Sequence, residues 1–395
     1  MVEIAMKTRI YLDYAATMPV SPAAIAAMVE AASVIGNPAS VHAGGRTANG
    51  IVERARDAVA AFARCAPDRV VFTSGGTEAL ALAINGSGMP GFIASAVDHS
   101  AVLAAREAII APVDGNGIID LTALAALLAD APALVAVQHA NNETGVIQPI
   151  AEVAALVAAA GGLLLVDAVQ SAGKIPLPIA DFVAISAHKL GGPPGVGALI
   201  VRDPGKLNAI QRGGGQERGL RGGTPNLPGI AGFAAALAKP RDWAAVADLR
   251  DRLEIRLATI VHGAAAPRLP NIASLGLPGV KAATQVMALD LAGFMVSAGA
   301  ACSSGKVAAS HVLAAMGLGA AAGEAIRVSL GPQTTEAEID TFAAAWETLS
   351  SPLRGEATRA LARAGGGGRA LPQGDHPHPP REAAQVASPF EGAER

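Results

Sequence analysis

The chain has 395 residues, of which 51% are hydrophobic and 3% aromatic, with 30 basic residues, 33 acidic residues and a formal net charge of −3. This length predicts two domains with enough apolar material for a large interior. The charge balance and the few aromatic residues argue against a nucleic-acid surface, and no run of like charge suggests a membrane surface.

At the N-terminus, "MVEIAMKTRIYLDY" interrupts its apolar residues with Glu3, Lys7 and Arg9, so no secretion signal is expected. No segment reaches the roughly 18 consecutive apolar residues that a membrane span needs. Cys65 and Cys302 lie far apart, in different contexts. They form neither a disulfide framework nor a metal cluster, so a reducing, cytoplasmic setting without a bound metal is expected.

From about residue 49 to 202, short apolar runs alternate with helical stretches. Strands are expected at "RVVFT" (69–73), "GFIASAV" (91–97), "ALVAVQH" (133–139), "GLLLVDAV" (162–169), "FVAIS" (182–186) and "VGALIVR" (196–202). Runs apolar at almost every position suit strands covered on both faces. Helical periodicity marks 100–110, 121–129 and 151–160. The alternation predicts an α/β domain with a mainly parallel sheet, in which ligands gather at the carboxyl ends of the strands. Five polar clusters stand at such ends: "TSGGTE", "DHS", "NNETG", Asp167 with Gln170, and "AHK".

After about residue 240 the pattern changes. A helix over 243–260 leads to "NIASLGLP", "FMVSAGAACSS" and "AIRVSLG", then to a last helix opened by a capping box from Thr335 to Glu338. A smaller second α/β domain is expected here. From about 355 the chain is polar and rich in Pro and Gly, as a disordered tail would be. His376 and His378 in that tail are a loose pair with no expected role.

Lys189, at a strand end, is the first candidate for chemistry. A lysine so placed can form a Schiff base with pyridoxal phosphate (PLP), for which Asp167 is placed to pair with the pyridine nitrogen. A lone lysine is more often a surface residue with a buried stem, but Asp167, His99 and "SGGTE" shift the balance. Gly75, Gly76 and Thr77 precede a helix expected at Glu78–Ile84 and could present backbone N–H groups to a phosphate. Ser186, His188 and Thr77 would add side-chain donors. His99 could stack on a cofactor ring and move protons, while His42, His139 and His262 read as structural. Cys302 sits in "SAGAACSSG", a run of small residues in which a thiol could react as thiolate. Cys65 reads as ordinary packing. Arg327 is suited to a substrate carboxylate, or else to a structural salt bridge.

Together these stretches resemble a known family. "YLDYAAT", "GNPASVH", "VVFTSGGTEALALAI", "DHSAVL", "NNETGVIQPI", "VDAVQSAGK", "SAHKLGGPPGVGAL", "GGGQERGLRGGTPN", "SAGAACSSG" and "IRVSLG" run in the order of a cysteine desulfurase of the NifS/IscS type, within the class-V aminotransferase-like PLP enzymes. The resemblance covers residues 11 to about 350. It implies the aspartate aminotransferase-like fold (fold type I), with a PLP domain over 13–245, a small domain of 1–12 and 246–354 that carries the cysteine loop, and a separate tail over 355–395. It implies that Lys189 holds PLP, Asp167 pairs with the ring nitrogen, Asn142 and Gln170 bond the phenolic oxygen, and His99 stacks on the ring. Gly76, Thr77, Ser186 and His188 would hold the phosphate, and Thr224 would reach the phosphate of a neighbouring subunit in a homodimer. Arg327, helped by Asn37, would bind the carboxylate of L-cysteine. Lys189 would take the α-proton, and Cys302 would attack the substrate sulfur, releasing alanine and keeping a persulfide for an iron–sulfur scaffold or a tRNA-thiolation protein. The span from Cys302 to "HVLAAMGL" has the length of the long-loop type, which favours direct delivery to a scaffold. Competing readings are a selenocysteine lyase or an aminotransferase with the same cofactor, and a degenerate member acting as an assembly scaffold.

Overall fold

The structure, a computed structural model, describes residues 9–238, 240–299 and 309–348. Cys302 and the tail over 355–395 lie outside the described residues. Strand β1 (Ile10–Tyr11) is followed by helices α1 (Pro22–Ala32) and α2 (Ala43–Ala63). Strands and helices then alternate: β2 (Val70–Thr73), α3 (Gly76–Gly86), β3 (Gly91–Ser95), α4 (Ser100–Leu103), β4 (Ile109–Ala111), α5 (Leu121–Leu128), β5 (Ala133–Gln138), α6 (Ile150–Ala159), β6 (Leu163–Asp167), β7 (Phe182–Ser186) and β8 (Gly197–Val201). Helices α7 (Leu227–Leu237) and α8 (Trp243–Leu257) lead to β9 (Ile260–Val261), β10 (Ile272–Gly276), α9 (Ala282–Ala292), β11 (Phe294–Met295), α10 (His311–Ala315) and β12 (Ala325–Ser329). A last helix, α11, covers residues 336–348.

The larger sheet has seven strands in the order β2-β8-β7-β6-β5-β3-β4. All its pairings are parallel except the two made by β8, which runs antiparallel between β2 and β7. Successive side chains of a strand point to opposite faces, and both faces are apolar here. Val135 and Val137 of β5, Leu164 and Val166 of β6 and Val183 and Ile185 of β7 pack in one core with α2 and α7. Leu134, Ala136, Leu165, Phe182 and Ala184 pack in the other, with α3. That double coverage explains the near-continuous apolar runs.

The helix expected over 100–110 is only partly formed. Helix α4 ends at Leu103, and Ile109–Ala111 forms the edge strand β4, parallel to β3. Arg106 turns back between them, its guanidinium donating to the carbonyl of Met89 at 3.0 Å and to that of Pro90. The Arg106 side chain is thereby tied to the turn before β3. The helix expected over 243–260 stops at Leu257, because Ala258 is left-handed at φ 44°, and β9 follows. The β9–β10–β12 sheet is antiparallel. It shares a second core with α8, α9 and α11, in which the Phe294 and Phe342 rings meet edge to face at 5.3 Å.

Candidate active site

The carboxyl ends of β2, β3, β5, β6 and β7 face one cavity of about 660 Å³. Strand β7 ends at Ser186 and passes into a single 3₁₀ turn, Ala187–Lys189. Gly191 and Gly195, at φ 75° and 77°, then reverse the chain into β8. The reversal is closed by a bond from the Ala187 N–H to the Val196 carbonyl at 3.1 Å. Lys189 is thus presented at the sheet edge with its amine inside the cavity, donating to the carbonyl of Ala16 at 2.8 Å and to that of Ala15. Burial, with the Arg327 charge, lowers its pKa to about 8, so near neutrality the amine is much closer to its nucleophilic form than a free lysine.

Asp167 ends β6 in the same wall. Burial raises its pKa to about 6, against a 2.9 Å bond that its Oδ1 accepts from the Val169 N–H and against the Lys189 charge. A desolvated carboxyl of this kind gains most from a cationic N–H partner. His188 is pushed down to about 4 by burial and by Lys189, and its Nδ1 lies 3.2 Å from the Thr17 hydroxyl.

Helix α3 begins one residue after Gly75, which adopts φ 156°, ψ −176°, a backbone region that is essentially glycine-only. Its N-terminus carries no side-chain cap, and Gly76 and Thr77 line the cavity. A Cβ on Gly76 would stand 2.7 Å from Val169 Cγ2, so a bare backbone is required at the turn. Open N–H groups at the head of an eleven-residue helix form an anion cradle.

His99 caps α4: its Nδ1 accepts the Ala101 N–H at 3.1 Å. Nδ1 therefore carries no proton, and the neutral ring holds its proton on Nε2. Burial, then Lys189 and His311, lower its pKa and keep it neutral. Beneath it the buried Asp98 ties β3 to β5, accepting from Ser95 N at 2.9 Å and Gln138 N at 2.8 Å.

The opposite wall comes from the smaller sheet. Arg327, in the middle of β12, donates from Nη2 to Asp13 Oδ1 at 2.7 Å and from Nη1 to the Asn142 carbonyl at 2.9 Å. The structural salt bridge and the cavity position therefore coexist. Ser297, Gly299, Ala309 and His311 complete this wall, with Glu143 from the loop after β5.

The cavity gathers Lys189, Asp167, His99, Gln170, Asn142, Gly76, Thr77, Ser186, His188 and Arg327 from the sequence-derived set. It does not gather Asn37 or Thr224. Asn37 is exposed and its Oδ1 accepts the Ala39 N–H at 2.9 Å. Thr224 lines a separate hollow of about 70 Å³ beside Arg221 and Asn226. Sequence reasoning missed Asp13, Glu143 and His311. Asp13 and Glu143 lie inside stretches that were singled out, as the acids of "YLDYAAT" and "NNETG", but nothing in a linear pattern pairs them with Arg327 or Ser310.

PLP fits this residue set. The helix cradle suits a phosphate, the Lys189 amine suits an aldehyde, and the Asp167 carboxyl suits a ring N–H. Gln170 Oε1 and Arg327 Nε are buried without hydrogen-bond partners, as polar walls are where a bound group completes the bonding.

Comparison with known proteins points the same way. The family model for class-V aminotransferases matches residues 10–342. A cysteine desulfurase from Cereibacter sphaeroides is 40% identical over 374 residues, covering 88% of this chain and 97% of the relative. An IscS-like cysteine desulfurase from Mycobacterium tuberculosis is 38% identical over 391 residues, covering 90% of this chain and 99% of the relative. The X-ray structure of a NifS-like protein from Rickettsia africae superimposes with a TM-score of 0.80 at 31% identity, covering 86% of this chain and 99% of that one.

Proposed function

The chain belongs to the class-V aminotransferase family, and from that premise we infer that it is a PLP-dependent cysteine desulfurase, converting L-cysteine to L-alanine and passing on the sulfur. One observation carries this reading. The Lys189 amine, the Asp167 carboxyl, the His99 ring and the Arg327 guanidinium share a cavity whose wall also includes Gly299 and Ala309, the residues that flank the segment carrying Cys302. Two residues, Ala300 and Ala301, lie between Gly299 and Cys302, so the chain can carry Cys302 at most about 11 Å from Gly299 in the cavity wall.

When bound, PLP supplies an aldehyde that joins the substrate amine and a protonated ring that withdraws electrons. The rest falls to the protein's own residues. Lys189 anchors the cofactor and takes the proton from the substrate Cα. Asp167 would hold the ring N–H, His99 would stack on the ring, and Asn142 and Gln170 would bond the phenolic oxygen. Gly76, Thr77, Ser186 and His188 would hold the phosphate. Arg327, fixed by Asp13, grips the substrate carboxylate. The Cys302 thiolate attacks the substrate sulfur: a sulfur–sulfur bond forms, the carbon–sulfur bond breaks, and its electron pair stays with the carbon that is protonated to give alanine.

A division into a PLP domain over 13–245 and a small domain of 1–12 and 246–354 is supported by the separate apolar cores against the seven-stranded sheet and the β9–β10–β12 sheet. A homodimer is supported by Val29, Ile35 and Val41, apolar residues near Asn37 that are 68%, 93% and 90% exposed. A second copy covering them would give Asn37 and Thr224 roles across the interface. The sulfur would pass to an iron–sulfur scaffold or a tRNA-thiolation protein in the cytoplasm. No described helix is long and apolar enough to cross a membrane.

Incubation of the PLP-loaded chain with L-cysteine tests this reading. Alanine and sulfide should form together, and Cys302→Ala should lower both at least about 100-fold, the scale of losing a nucleophile. A variant that keeps full activity would leave a different class-V reaction.

A further inference from the structure

Glu143 has no part in the roles above, yet it is 4% exposed and lines the cavity. The Asn141 side chain fixes the turn beneath it, with Oδ1 accepting the N–H of Glu143 and of Thr144, each at 2.8 Å. Glu143 Oε2 then accepts the Ser310 hydroxyl at 2.5 Å. That hydroxyl also accepts the Leu313 N–H at 3.0 Å and so caps α10. On the other side, a Cβ built on Gly299 would stand only 2.8 Å from the same Oε2. Gly299 takes φ 77°, and its N–H donates to Ser297 Oγ at 3.3 Å. One carboxylate oxygen is therefore bonded to residue 310 and packed against residue 299. Burial raises the Glu143 pKa, opposed by the Ser310 bond and by the His311 and Arg327 charges.

We propose that Glu143 is a positioning residue for the sulfur-transfer step: by holding Gly299 and Ser310 against the cavity it fixes both ends of the segment that carries Cys302. This inference rests on the desulfurase reading. It separates two half-reactions that share the cavity. Removal of the substrate α-proton needs Lys189 and bound PLP and does not involve Glu143. Attack on the substrate sulfur needs Cys302, and Glu143 anchors the described residues on either side of its segment, Gly299 and Ser310.

The test uses the full-length, PLP-loaded chain and three readouts: exchange of the cysteine α-proton with deuterated water, persulfide formed on Cys302 in a single turnover, and alkylation of Cys302 by iodoacetamide, with Cys65 as internal control. Glu143→Ala should keep α-proton exchange within twofold of wild type. It should slow persulfide formation at least tenfold and speed Cys302 alkylation at least threefold, with Cys65 unchanged. Glu143→Gln keeps an oxygen for the Ser310 hydroxyl and should restore at least half of the persulfide rate. Ser310→Ala breaks the same bond from the other side and should repeat the split if Glu143→Ala does not fold. Persulfide formation within twofold of wild type, or an equal fall in exchange and persulfide formation, overturns the proposal. A wild-type chain that exchanges the α-proton but never forms a persulfide on Cys302 refutes the desulfurase reading, and the alkylation ratio then decides on Glu143 alone.

Discussion

The cavity is bounded by the carboxyl edge of the seven-stranded sheet on one side and by β12 with its neighbours on the other, and the two walls are held by different physics. In the first wall, the functional side chains stand at or just beyond the ends of buried strands: Asp167 is held by the Val169 N–H and His99 by the Ala101 N–H, both local, while Lys189 is held by the carbonyls of Ala15 and Ala16, 174 and 173 positions away. In the second, long-range polar contacts substitute for strand ends: Arg327 to Asp13, Ser310 to Glu143, and His311 Nε2 to the Asp98 carbonyl at 2.9 Å. A preformed wall suits a resident cofactor. A wall joined by a few polar contacts suits a substrate that comes and goes.

The largest expected effect lies in the first wall. Lys189→Ala should cut alanine production by at least about 10³-fold, the scale of removing a covalent catalyst, while the fold survives because the amine bonds only two carbonyls. Borohydride reduction of the loaded wild type, followed by peptide mass spectrometry, should place the phosphopyridoxyl group on Lys189. Its appearance on Lys174, the other buried lysine of this region, would break the comparison at its root.

In the second wall the loss should fall on substrate and not on cofactor. Arg327→Lys gives up the planar fork that grips a carboxylate and should raise KM for cysteine roughly 30- to 100-fold, the size of a lost charge-assisted contact. Asp13→Asn leaves the guanidinium in place but poorly held and should raise KM about fivefold. PLP affinity should stay within twofold in both. Weaker PLP binding in Arg327→Lys would mean that the walls do not divide the labour.

The first wall was also the more legible in sequence, for the same physical reason. A strand covered on both faces reads as a continuous apolar run, and the polar residue after it marks the sheet edge, so Asp167, His99 and Lys189 stand out by local contrast. The seven-stranded fold followed from that alternation, apart from the β4 edge strand. The second wall is written in distance: Asp13 meets Arg327 across 314 residues and Glu143 meets Ser310 across 167. Neither pair has a local signal, and the resemblance supplied Arg327 but not its partners. Asn37 and Thr224 came from resemblance alone, and within one chain they reach no part of the cavity.

The amine of the first wall also predicts a pH dependence. The folded pKa of Lys189, about 8, is below the ordinary 10.5, so the neutral amine that captures an aldehyde becomes the major form above about pH 8. Capture of PLP by the cofactor-free chain, followed by absorbance, should speed up about tenfold per pH unit below that point and level off above it. The linkage to stability has the matching sign. The folded chain binds fewer protons than the unfolded chain between about 8 and 10.5, so this group's destabilising contribution is fully present below pH 8 and is relieved as pH rises through that window. A capture rate still climbing steeply at pH 9.5 would show that the first wall does not lower the amine's pKa.

The smallest effect tests whether the walls unfold as one. Helix α11 places Phe342 and Trp346 in the core of the smaller sheet, and its capping box is formed: the Thr335 N–H donates to Glu338 Oε2 at 2.8 Å, and the Glu338 N–H donates to Thr335 Oγ1 at 3.3 Å. Thr335→Ala removes the capping oxygen, at a cost of about 1 kcal/mol. If the smaller core is an independent support for the second wall, the urea midpoint should fall with its slope unchanged, KM for cysteine should rise slightly, and PLP affinity should not move. A PLP affinity that weakens together with the urea midpoint would make the two walls one cooperative unit, and the contrast between a cofactor side and a substrate side would then describe only where residues sit, not how they are held.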